Sequence, residues 1–451
     1  MKLAILGGGP AGHSAATVAA RLGADVTVVE RDVIGGAAHL WDCIPSKAMI
    51  ATGGARSFLN RAADMGLAPA PASIDLDGLR QRIVEIKDHL ERSVTELLTS
   101  QSVRIIRGTG VLNGAHELTA TTVEGLVETV SFDKLVVCTG SRPRIPDWAE
   151  PDGVRVLTTR QAYPPPELPE HIVIIGSGVT GVEFAHLFSS LGSDVTLVVS
   201  RQQVLPNKDP EVAAALEDEF LRRGITLLKG ARAVGIDRSA DGVTVRCDDG
   251  RTVVASHALL AIGSIPNSDG IGLDVAGVTV DNGYLPIDRH CVTNVSHIYA
   301  AGDVSGKLPL SSVATMQGRK IAEHAMGLHA LEHRHLDYDK AASAIFTEPE
   351  IAEVGVAEAE AFSSGRKIRV TKVPFSVSAK AMINGDTRGF VKIISDPATG
   401  VILGGSIVGR HAAELISVIA LAVTAGLRVS DIVDSLLVHP ALAEVLAEAA
   451  E

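Results

Sequence analysis

Apolar runs alternate along the chain with short glycine-rich segments. The run Lys2–Leu6 predicts a buried strand, and the glycines of Gly7–Gly12 predict a tight turn after it. Small residues to about Leu22 then predict a helix, and a second strand over Asp25–Val29 ends at Glu30. Strand, glycine turn, helix and strand in this order are typical of a dinucleotide-binding unit.

The same order recurs later in the chain. His171–Ile175 predicts a strand, Gly176–Gly181 a glycine turn, the residues to about Leu191 a helix, and Asp194–Val199 a second strand. Two copies of the unit in one chain predict two dinucleotide sites.

Further segments complete the predicted architecture. Leu135–Ser141 and Leu259–Ser264 are near copies, and each predicts a buried strand that returns to its own sheet. His297–Asp303 predicts a strand whose carboxyl end carries an acid, where ligands of α/β sheets collect. Leu76–Leu98 predicts one long amphipathic helix. From about Ala341 the pattern predicts an α+β domain without a phosphate loop.

Composition narrows the functional classes. The chain has 451 residues, 46% hydrophobic and 21% charged, as expected for a globular protein of two or three domains. A net charge of -12, no basic stripe and only 3% aromatic residues argue against nucleic-acid binding. We expect no membrane span and no signal peptide. Cys43, Cys138, Cys247 and Cys291 lack metal-ligand spacing, so we expect no metal and a cytoplasmic location.

The first glycine turn has the residues that a bound pyrophosphate needs. Gly7 permits the tight turn, Gly9 lets the backbone approach the phosphates, and Gly12 lets helix and strand pack closely. Glu30 at the end of the second strand can accept hydrogen bonds from ribose hydroxyls. A chance glycine cluster would not be expected to come with the strand, the helix and the acid.

The second copy differs at the position of the acid. Its second strand is followed by Ser200 and Arg201, with no carboxylate that would repel a 2′-phosphate. We therefore expect this site to accept NADPH, with NADH as the open alternative. A solvated surface charge is an equally weighted interpretation of Arg201.

Cys43 begins the segment Cys-Ile-Pro-Ser-Lys47 at the predicted start of a helix. The helix dipole and Lys47 would both favour a thiolate there. Taken alone, Cys43 is more often an inert, small apolar residue.

These motifs together resemble the flavoprotein disulfide reductases of the dihydrolipoamide dehydrogenase and glutathione reductase family. The resemblance covers essentially the whole chain. It rests on matches in the same order along the sequence: GGGPAG with Glu30, Gly35–Gly36 with CIPSK, GSGVTGVEFA (176–185), AAGD (300–303), FTEPEI (346–351) and HPALAE (439–444).

The resemblance implies FAD on the first unit, one per subunit, and exchangeable NAD(P)H on the second. The residues implied at FAD are Gly7, Gly9, Pro10, Ala11, Gly12, Glu30, Gly36, Ala37, Cys43, Lys47, Gly110, Thr139, Gly140, Ser141, Gly302 and Asp303. Those implied at NAD(P)H are Gly176, Gly178, Val179, Thr180, Gly181, Glu183, Ser200, Arg201 and Gly263.

The resemblance also implies the organisation and the catalytic groups. The expected fold is α/β, with two Rossmann-like domains, 1–148 with 270–335 for FAD and 149–269 for NAD(P), and an α+β dimerisation domain, 336–451. Lys47 would lie near flavin N5 and pair with Glu183. In a head-to-tail homodimer, His439 with Glu444 would reach the partner subunit's flavin, although a remnant that only packs at the interface is weighed equally.

The function that we expect depends on the positions where this sequence differs from the family pattern. The family's redox disulfide joins two cysteines five positions apart on one helix, and Ala38 occupies the position of the first. Val179 replaces the tyrosine that usually covers the nicotinamide pocket, and Asp42 replaces a glycine beside Trp41. Without a second sulfur the chain cannot form the disulfide that normally accepts the electrons.

The single cysteine with Gly-Gly-Ala-Ala resembles the NAD(P)H:quinone reductase branch of the family. We therefore expect electrons to pass from NAD(P)H through flavin to a small non-disulfide acceptor, with a quinone favoured. The alternatives are a disulfide reductase, a pyridine nucleotide transhydrogenase, a small-molecule oxidase, and, from another class, a non-catalytic redox sensor or complex subunit.

Overall fold

The computed structural model describes residues 1–68, 72–328 and 335–451 and divides into two compact units. The first unit comprises Met1–Ser46, Arg80–Arg144 and Ser264–Tyr338. The second comprises Lys47–Leu79, Ile145–Gly263 and Asp339–Glu451.

The strands are short and follow the apolar runs of the sequence. In chain order they are β1 (Lys2–Leu6), β2 (Asp25–Glu30), β3 (Arg104–Leu112), β4 (Glu117–Thr122), β5 (Val127–Ser131), β6 (Lys134–Val137), β7 (Ser141–Pro143), β8 (Val156–Thr158), β9 (His171–Ile175), β10 (Asp194–Val199), β11 (Thr226–Lys229), β12 (Ala233–Arg238), β13 (Val243–Cys247), β14 (Thr252–Ala255), β15 (His257–Leu260), β16 (Ser264–Pro266), β17 (Ile298–Ala300), β18 (Ser343–Ile345), β19 (Glu350–Gly355), β20 (Arg369–Pro374), β21 (Phe390–Ser395) and β22 (Ile402–Gly409).

The helices connect and cover these strands. In chain order they are α1 (Pro10–Arg21), α2 (Gly36–Leu40), α3 (Cys43–Arg61), α4 (Leu76–Ser100), α5 (Val179–Leu191), α6 (Pro210–Arg222), α7 (Ser311–Ala325), α8 (Glu358–Ser363), α9 (Ala379–Ile383), α10 (Ala412–Ala425), α11 (Val429–Val433) and α12 (Glu444–Ala450). Short 3₁₀ turns cover Ala62–Met65, Asp303–Ser305, Tyr338–Lys340 and Phe375–Val377.

The first unit is built on a seven-stranded sheet in the order β17-β6-β1-β2-β3-β4-β5. The strands from β17 to β3 run parallel, whereas β4 and β5 are added antiparallel. Alternate residues of β1 point to opposite faces, so Leu3 and Ile5 join one apolar cluster with α1 and α7, while Ala4 and Leu6 join another. The predicted strands β1, β2 and β6 are confirmed, and the predicted β17 brings its acid to the carboxyl end of this sheet.

The second unit contains the repeated nucleotide-binding motif. Its parallel sheet has the order β11-β10-β9-β15-β8, and β12, β13 and β14 form a separate antiparallel sheet. The predicted strands His171–Ile175 and Asp194–Val199 are confirmed at their exact bounds as β9 and β10. Both are β-branched runs closed by a glycine or a polar residue, which sets their ends sharply.

The C-terminal part of the second unit is the predicted α+β arrangement. Five antiparallel strands follow the order β18-β19-β22-β21-β20. Residues of α10 and α12, including Ile416, Ile419 and Leu446, bury one apolar cluster with this sheet. The α/β fold class expected from the sequence is therefore confirmed. The exact domain boundaries stay a prediction.

Helices α2, α3 and α4 lie between β2 and β3. The predicted amphipathic helix is α4, which extends two residues beyond Leu98. The helix start predicted at Cys43 is confirmed as the start of α3, and Ala38 lies in a separate short helix, α2, that ends at Leu40. The backbone N–H groups of both Trp41 and Asp42 donate to the carbonyl of Ala37, which closes the first helix before the second begins. Among the described residues, no helix is long and apolar enough to cross a bilayer.

Candidate active site and cofactor loops

The first glycine loop can be built only without side chains at its turn positions. Gly7 has a φ of +104°, and a Cβ there would lie 2.3 Å from the carbonyl oxygen of Cys138. A Cβ on Gly12 would lie 1.9 Å from the oxygen of Gly7. At Gly9 the nearest contact of such an atom would be 4.0 Å away, so this face of the loop is open to a ligand. Pro10 starts α1, whose backbone N–H groups point toward that face.

Glu30 is held at the end of β2 by two backbone donors. Its Oε2 accepts from the N–H of Gly8 at 2.6 Å, and its Oε1 accepts from the N–H of Asp32 at 2.7 Å. Glu30 is only 8% exposed. Burial raises the pKa of Glu30, and the two backbone donors oppose that shift. The carboxylate oxygens keep further lone pairs that could accept ribose hydroxyls.

The turns after β6 and β17 meet beside this loop. The hydroxyl of Ser141 donates to Asp303 Oδ2 at 2.6 Å, and the N–H of Gly302 donates to Gln317 Oε1 at 2.7 Å. Gln317 is only 1% exposed, so this turn is firmly supported. The buried Thr139 hydroxyl has no hydrogen-bond partner among the described residues. A buried polar atom of this kind fits a site that is completed by a ligand.

Gly36, Ala37 and Gly110 are also predicted to lie at the first cofactor. A Cβ on Gly36 would lie 2.8 Å from the Cα of Gly9, so the segment that carries Ala37 passes close to the glycine loop. A Cβ on Gly110, in β3, would lie 2.5 Å from Leu6 Cδ1. Glycine at position 110 therefore has a sufficient reason in sheet packing, and its role toward a cofactor stays a prediction.

The second glycine loop repeats the geometry of the first. Gly176 has a φ of +112°, a Cβ there would lie 2.3 Å from the oxygen of Ala261, and one on Gly181 would lie 1.8 Å from the oxygen of Gly176. Gly178, Val179 and Thr180 are exposed at the start of α5. The loop is thus open where a phosphate would approach a helix N-terminus.

Ser200 and Arg201 follow β10 directly, and both are exposed. The carbonyl oxygen of Arg201 accepts from the N–H of Gly230 at 3.2 Å, which holds the backbone of this exposed residue. Gly263 lies in the turn after β15 with a φ of +93°. This end of the sheet therefore presents a hydroxyl and a cation where many dinucleotide sites carry an acid.

Lys47 and Glu183 form an ion pair inside the second unit. Lys47 Nζ lies 2.9 Å from Glu183 Oε2 and 3.2 Å from Oε1, and Glu183 is only 6% exposed. The N–H of Phe346 also donates to Glu183 Oε1 at 2.9 Å, and the Lys47 ammonium lies 4.7 Å from the centre of the Phe346 ring. The resemblance named the pair but missed Phe346, although the motif FTEPEI was the available signal.

Cys43 is the first residue of α3, as predicted. Its Sγ lies 3.8 Å from the hydroxyl of Ser311, the first residue of α7, so two helix N-termini meet at the thiol. The other cysteines, Cys138, Cys247 and Cys291, are buried. Burial raises the pKa of Cys291 to about 11, and the pKa of Cys138 is also raised, so both thiols stay protonated and unreactive.

His439 and Glu444 are joined near the C-terminus of the chain. His439 Nδ1 lies 2.7 Å from Glu444 Oε1, and Glu444 Oε2 accepts from the N–H of Ala441 at 2.7 Å. The N–H of Ala441, with His439, lowers the pKa of the Glu444 carboxyl. The carboxylate therefore orients the imidazole, whose side chain is 75% exposed.

Residues 1–318 match the family described as pyridine nucleotide-disulphide oxidoreductase, and residues 341–450 match the dimerisation domain of the same family. The chain belongs to the pyridine nucleotide-disulphide oxidoreductase family. It is accordingly a flavoprotein oxidoreductase, with FAD and NAD(P)H as the cofactors of this family. Three features of the first unit fit FAD. They are the open loop at Gly9, the buried Thr139 hydroxyl and the Glu30 carboxylate, which two backbone N–H groups hold in place.

Relatives within the pyridine nucleotide-disulphide oxidoreductase family span the full chain. A protein of Mycobacterium tuberculosis named NAD(P)H dehydrogenase (quinone) is 41% identical over 100% of this chain and 93% of its own length. A dihydrolipoyl dehydrogenase of Zymomonas mobilis is 33% identical over 99% of this chain and 96% of its own. The crystal structure of LpdA from M. tuberculosis has a TM-score of 0.95 at 41% identity, covering 100% and 99% of the two chains.

Proposed function

We propose that the protein is an FAD-dependent NAD(P)H:quinone reductase. The observation that carries the proposal is the replacement of the first redox cysteine by Ala38, with a hydroxyl, that of Ser311, beside Cys43 Sγ. A methyl group cannot form or break a sulfur–sulfur bond, so no dithiol can store the electrons in this loop. The relative named NAD(P)H dehydrogenase (quinone) supports a quinone as the acceptor.

FAD, when bound, would supply the two-electron carrier between the nicotinamide and the acceptor. Glu30 would accept hydrogen bonds from its adenosine ribose, and the loop at Gly9 with the N-terminus of α1 would face its phosphates. Thr139 and Ser141 with Asp303 would complete this site. The loop from Gly176 to Gly181 would bind the phosphates of NAD(P)H, with Ser200 and Arg201 facing a 2′-phosphate.

Lys47, Cys43 and His439 would act on the reaction itself. Lys47, oriented by Glu183, would place a cation at the flavin, and Cys43 would lie against the flavin as a thiolate without passing electrons to a second sulfur. His439, oriented by Glu444, would donate a proton to the reduced quinone. Val179, smaller than tyrosine, would leave the nicotinamide pocket more open.

The dimerisation-domain match and several exposed apolar residues support a homodimer, in which His439 would reach the partner subunit's flavin. Leu421 on α10 is 65% exposed, and Met382 and Leu436 are also exposed. The domain boundaries 1–148 with 270–335, 149–269 and 336–451 belong to the same proposal. We also propose a cytoplasmic location, because the spacing of the four cysteines does not indicate a disulfide framework.

A steady-state acceptor screen on the FAD-loaded protein tests the function. NADPH and NADH would each be offered with menadione, a water-soluble ubiquinone, lipoamide, oxidised glutathione and a thio analogue of NAD. We expect turnover with the quinones and none with the disulfides. Turnover with lipoamide would support the disulfide-reductase alternative, which the dihydrolipoyl dehydrogenase relatives favour. If the NAD analogue is the one acceptor that is reduced, the protein is a transhydrogenase. If no acceptor is reduced, the result supports a redox sensor.

A further inference from the structure

Phe346 contacts both members of the Lys47–Glu183 pair. Its N–H donates to Glu183 Oε1 at 2.9 Å, and its ring centre lies 4.7 Å from Lys47 Nζ. The three residues come from α3, α5 and the connection between β18 and β19. One residue thus contacts the carboxylate through its backbone and the ammonium through its side chain.

The connection that carries Phe346 is anchored two residues later by Glu348. Its carboxylate lies 2.8 Å from Arg388, 3.0 Å from Arg223 and 2.5 Å from Arg61. Burial alone would raise the pKa of Glu348, but the three guanidinium groups hold it at about 2. Glu348 therefore stays ionised and fixes the backbone of the connection throughout the neutral range.

The ring matters because Lys47 is not fully enclosed. Its side chain is 33% exposed, so an ammonium on a flexible four-carbon stem could leave the carboxylate for water. A cation above an aromatic face is attracted by the negative potential of the ring, more strongly when it is partly desolvated. The ring thus gives the ammonium a second contact besides Glu183.

We propose that Phe346 is a positioning residue that holds the Lys47 ammonium in the arrangement used for flavin reduction. The inference rests on the proposed role of Lys47, but it does not depend on which acceptor the enzyme uses. It predicts that the effect of Phe346 acts through Lys47. A residue that only fills space would lack this dependence.

The test uses the FAD-loaded protein and five variants. Phe346→Leu removes the aromatic face but keeps the N–H donor, and Phe346→Tyr keeps both. Phe390→Leu is the matched control, because Lys372 Nζ lies 5.3 Å from the Phe390 ring in a second cation–π contact of the same unit. Lys47→Met, alone and combined with Phe346→Leu, completes a double-mutant cycle.

Two properties are measured for each variant without any acceptor. The first is the flavin midpoint potential, by anaerobic equilibration with a reference dye, and the second is the stopped-flow rate of flavin reduction by NADPH. Phe346→Leu should slow reduction roughly threefold to tenfold and shift the potential to a more negative value, whereas Phe346→Tyr and Phe390→Leu should match the wild type. In the Lys47→Met background, Phe346→Leu should add nothing.

A full effect of Phe346→Leu in the Lys47→Met background would overturn the inference, and so would equal effects of Phe346→Leu and Phe390→Leu. FAD content and the thermal midpoint are recorded for every variant, and Phe346→Met replaces the leucine variant if the latter does not retain FAD. Because no quinone enters either measurement, failure of the quinone proposal would leave this result intact and distinguishable.

Discussion

Lys47 Nζ lies 2.9 Å from Glu183 Oε2, although 136 residues separate the two in the chain. The pair joins α3, which begins at Cys43, to α5, which begins at the second glycine loop. The same helices therefore carry the thiol and the nucleotide loop at their N-terminal ends and the ion pair one turn further on.

Replacing Glu30 by alanine should release FAD. The substitution removes an acceptor that holds the N–H groups of Gly8 and Asp32 and that would bind the ribose. We expect roughly 100-fold weaker FAD binding, equivalent to about 3 kcal/mol, measured by the recovery of flavin fluorescence on dilution. Asp32→Ala is the control, since its carboxylate is 44% exposed and the Asp32 N–H that donates to Glu30 is kept in the variant. Equal FAD loss from both variants would contradict this account of Glu30.

Arg201→Glu should change the choice of nicotinamide. A carboxylate after β10 would repel a 2′-phosphate and accept bonds from 2′-hydroxyls. We expect the KM for NADPH to rise at least roughly tenfold and that for NADH to change little or fall. Lys367→Glu makes the same charge change on an exposed residue of the C-terminal part. An unchanged KM ratio in the Arg201 variant would mean that this side chain is only a solvated surface charge.

His439→Gln should slow only the second half of the reaction. The variant removes a proton donor while leaving the nicotinamide loop untouched, so we expect an unchanged rate of flavin reduction by NADPH. Reoxidation by a quinone should fall roughly tenfold to a hundredfold. His89→Gln, on the exposed surface of α4, is the control. Normal reoxidation would indicate that the His439–Glu444 pair serves only the subunit interface.

His186 should make the protein less stable in mild acid. Burial, reinforced by Arg223, lowers the pKa of His186 from 6.5 to about 3, so the folded protein keeps it neutral while the unfolded chain protonates it. Its stabilising contribution is complete above pH 6.5 and is lost as the pH falls toward 3. Between pH 7 and 5 this amounts to about 2 kcal/mol.

Urea unfolding at pH 7 and pH 5 measures this loss. His186→Gln should unfold with a smaller difference between the two pH values than the wild type, and His116→Gln, at an exposed position, should not. The same pH dependence in the wild type and the His186 variant would show that other groups are responsible.

Local pattern was sufficient for much of the fold. The strands β9 and β10 were predicted at their exact bounds because an apolar β-branched run closed by glycine or a polar residue has few alternatives. The glycine loops were equally predictable, because the clash of a Cβ at Gly12 or Gly181 is a property of the turn itself. The separate short helix α2 was not predicted, because the backbone hydrogen bonds that end it at Leu40 leave no mark in residue type.

Long-range contacts within the site could not be derived from pattern. The Lys47–Glu183 pair came only from the family resemblance, since nothing local links residues so far apart. Phe346 was visible as part of a motif, but its two contacts depend on how the β18–β19 connection is anchored by Glu348. The contact of Cys43 with Ser311 joins residues 268 positions apart, and serine has no sequence signal for such a role.

The number of electrons that each FAD site accepts tests the central claim most directly. The FAD-loaded protein is titrated anaerobically with dithionite while the flavin absorbance is recorded. Because Ala38 removes the partner sulfur of Cys43, we predict that reduction is complete after two electrons per FAD. Consumption of four electrons per FAD would reveal a reducible disulfide and contradict the account.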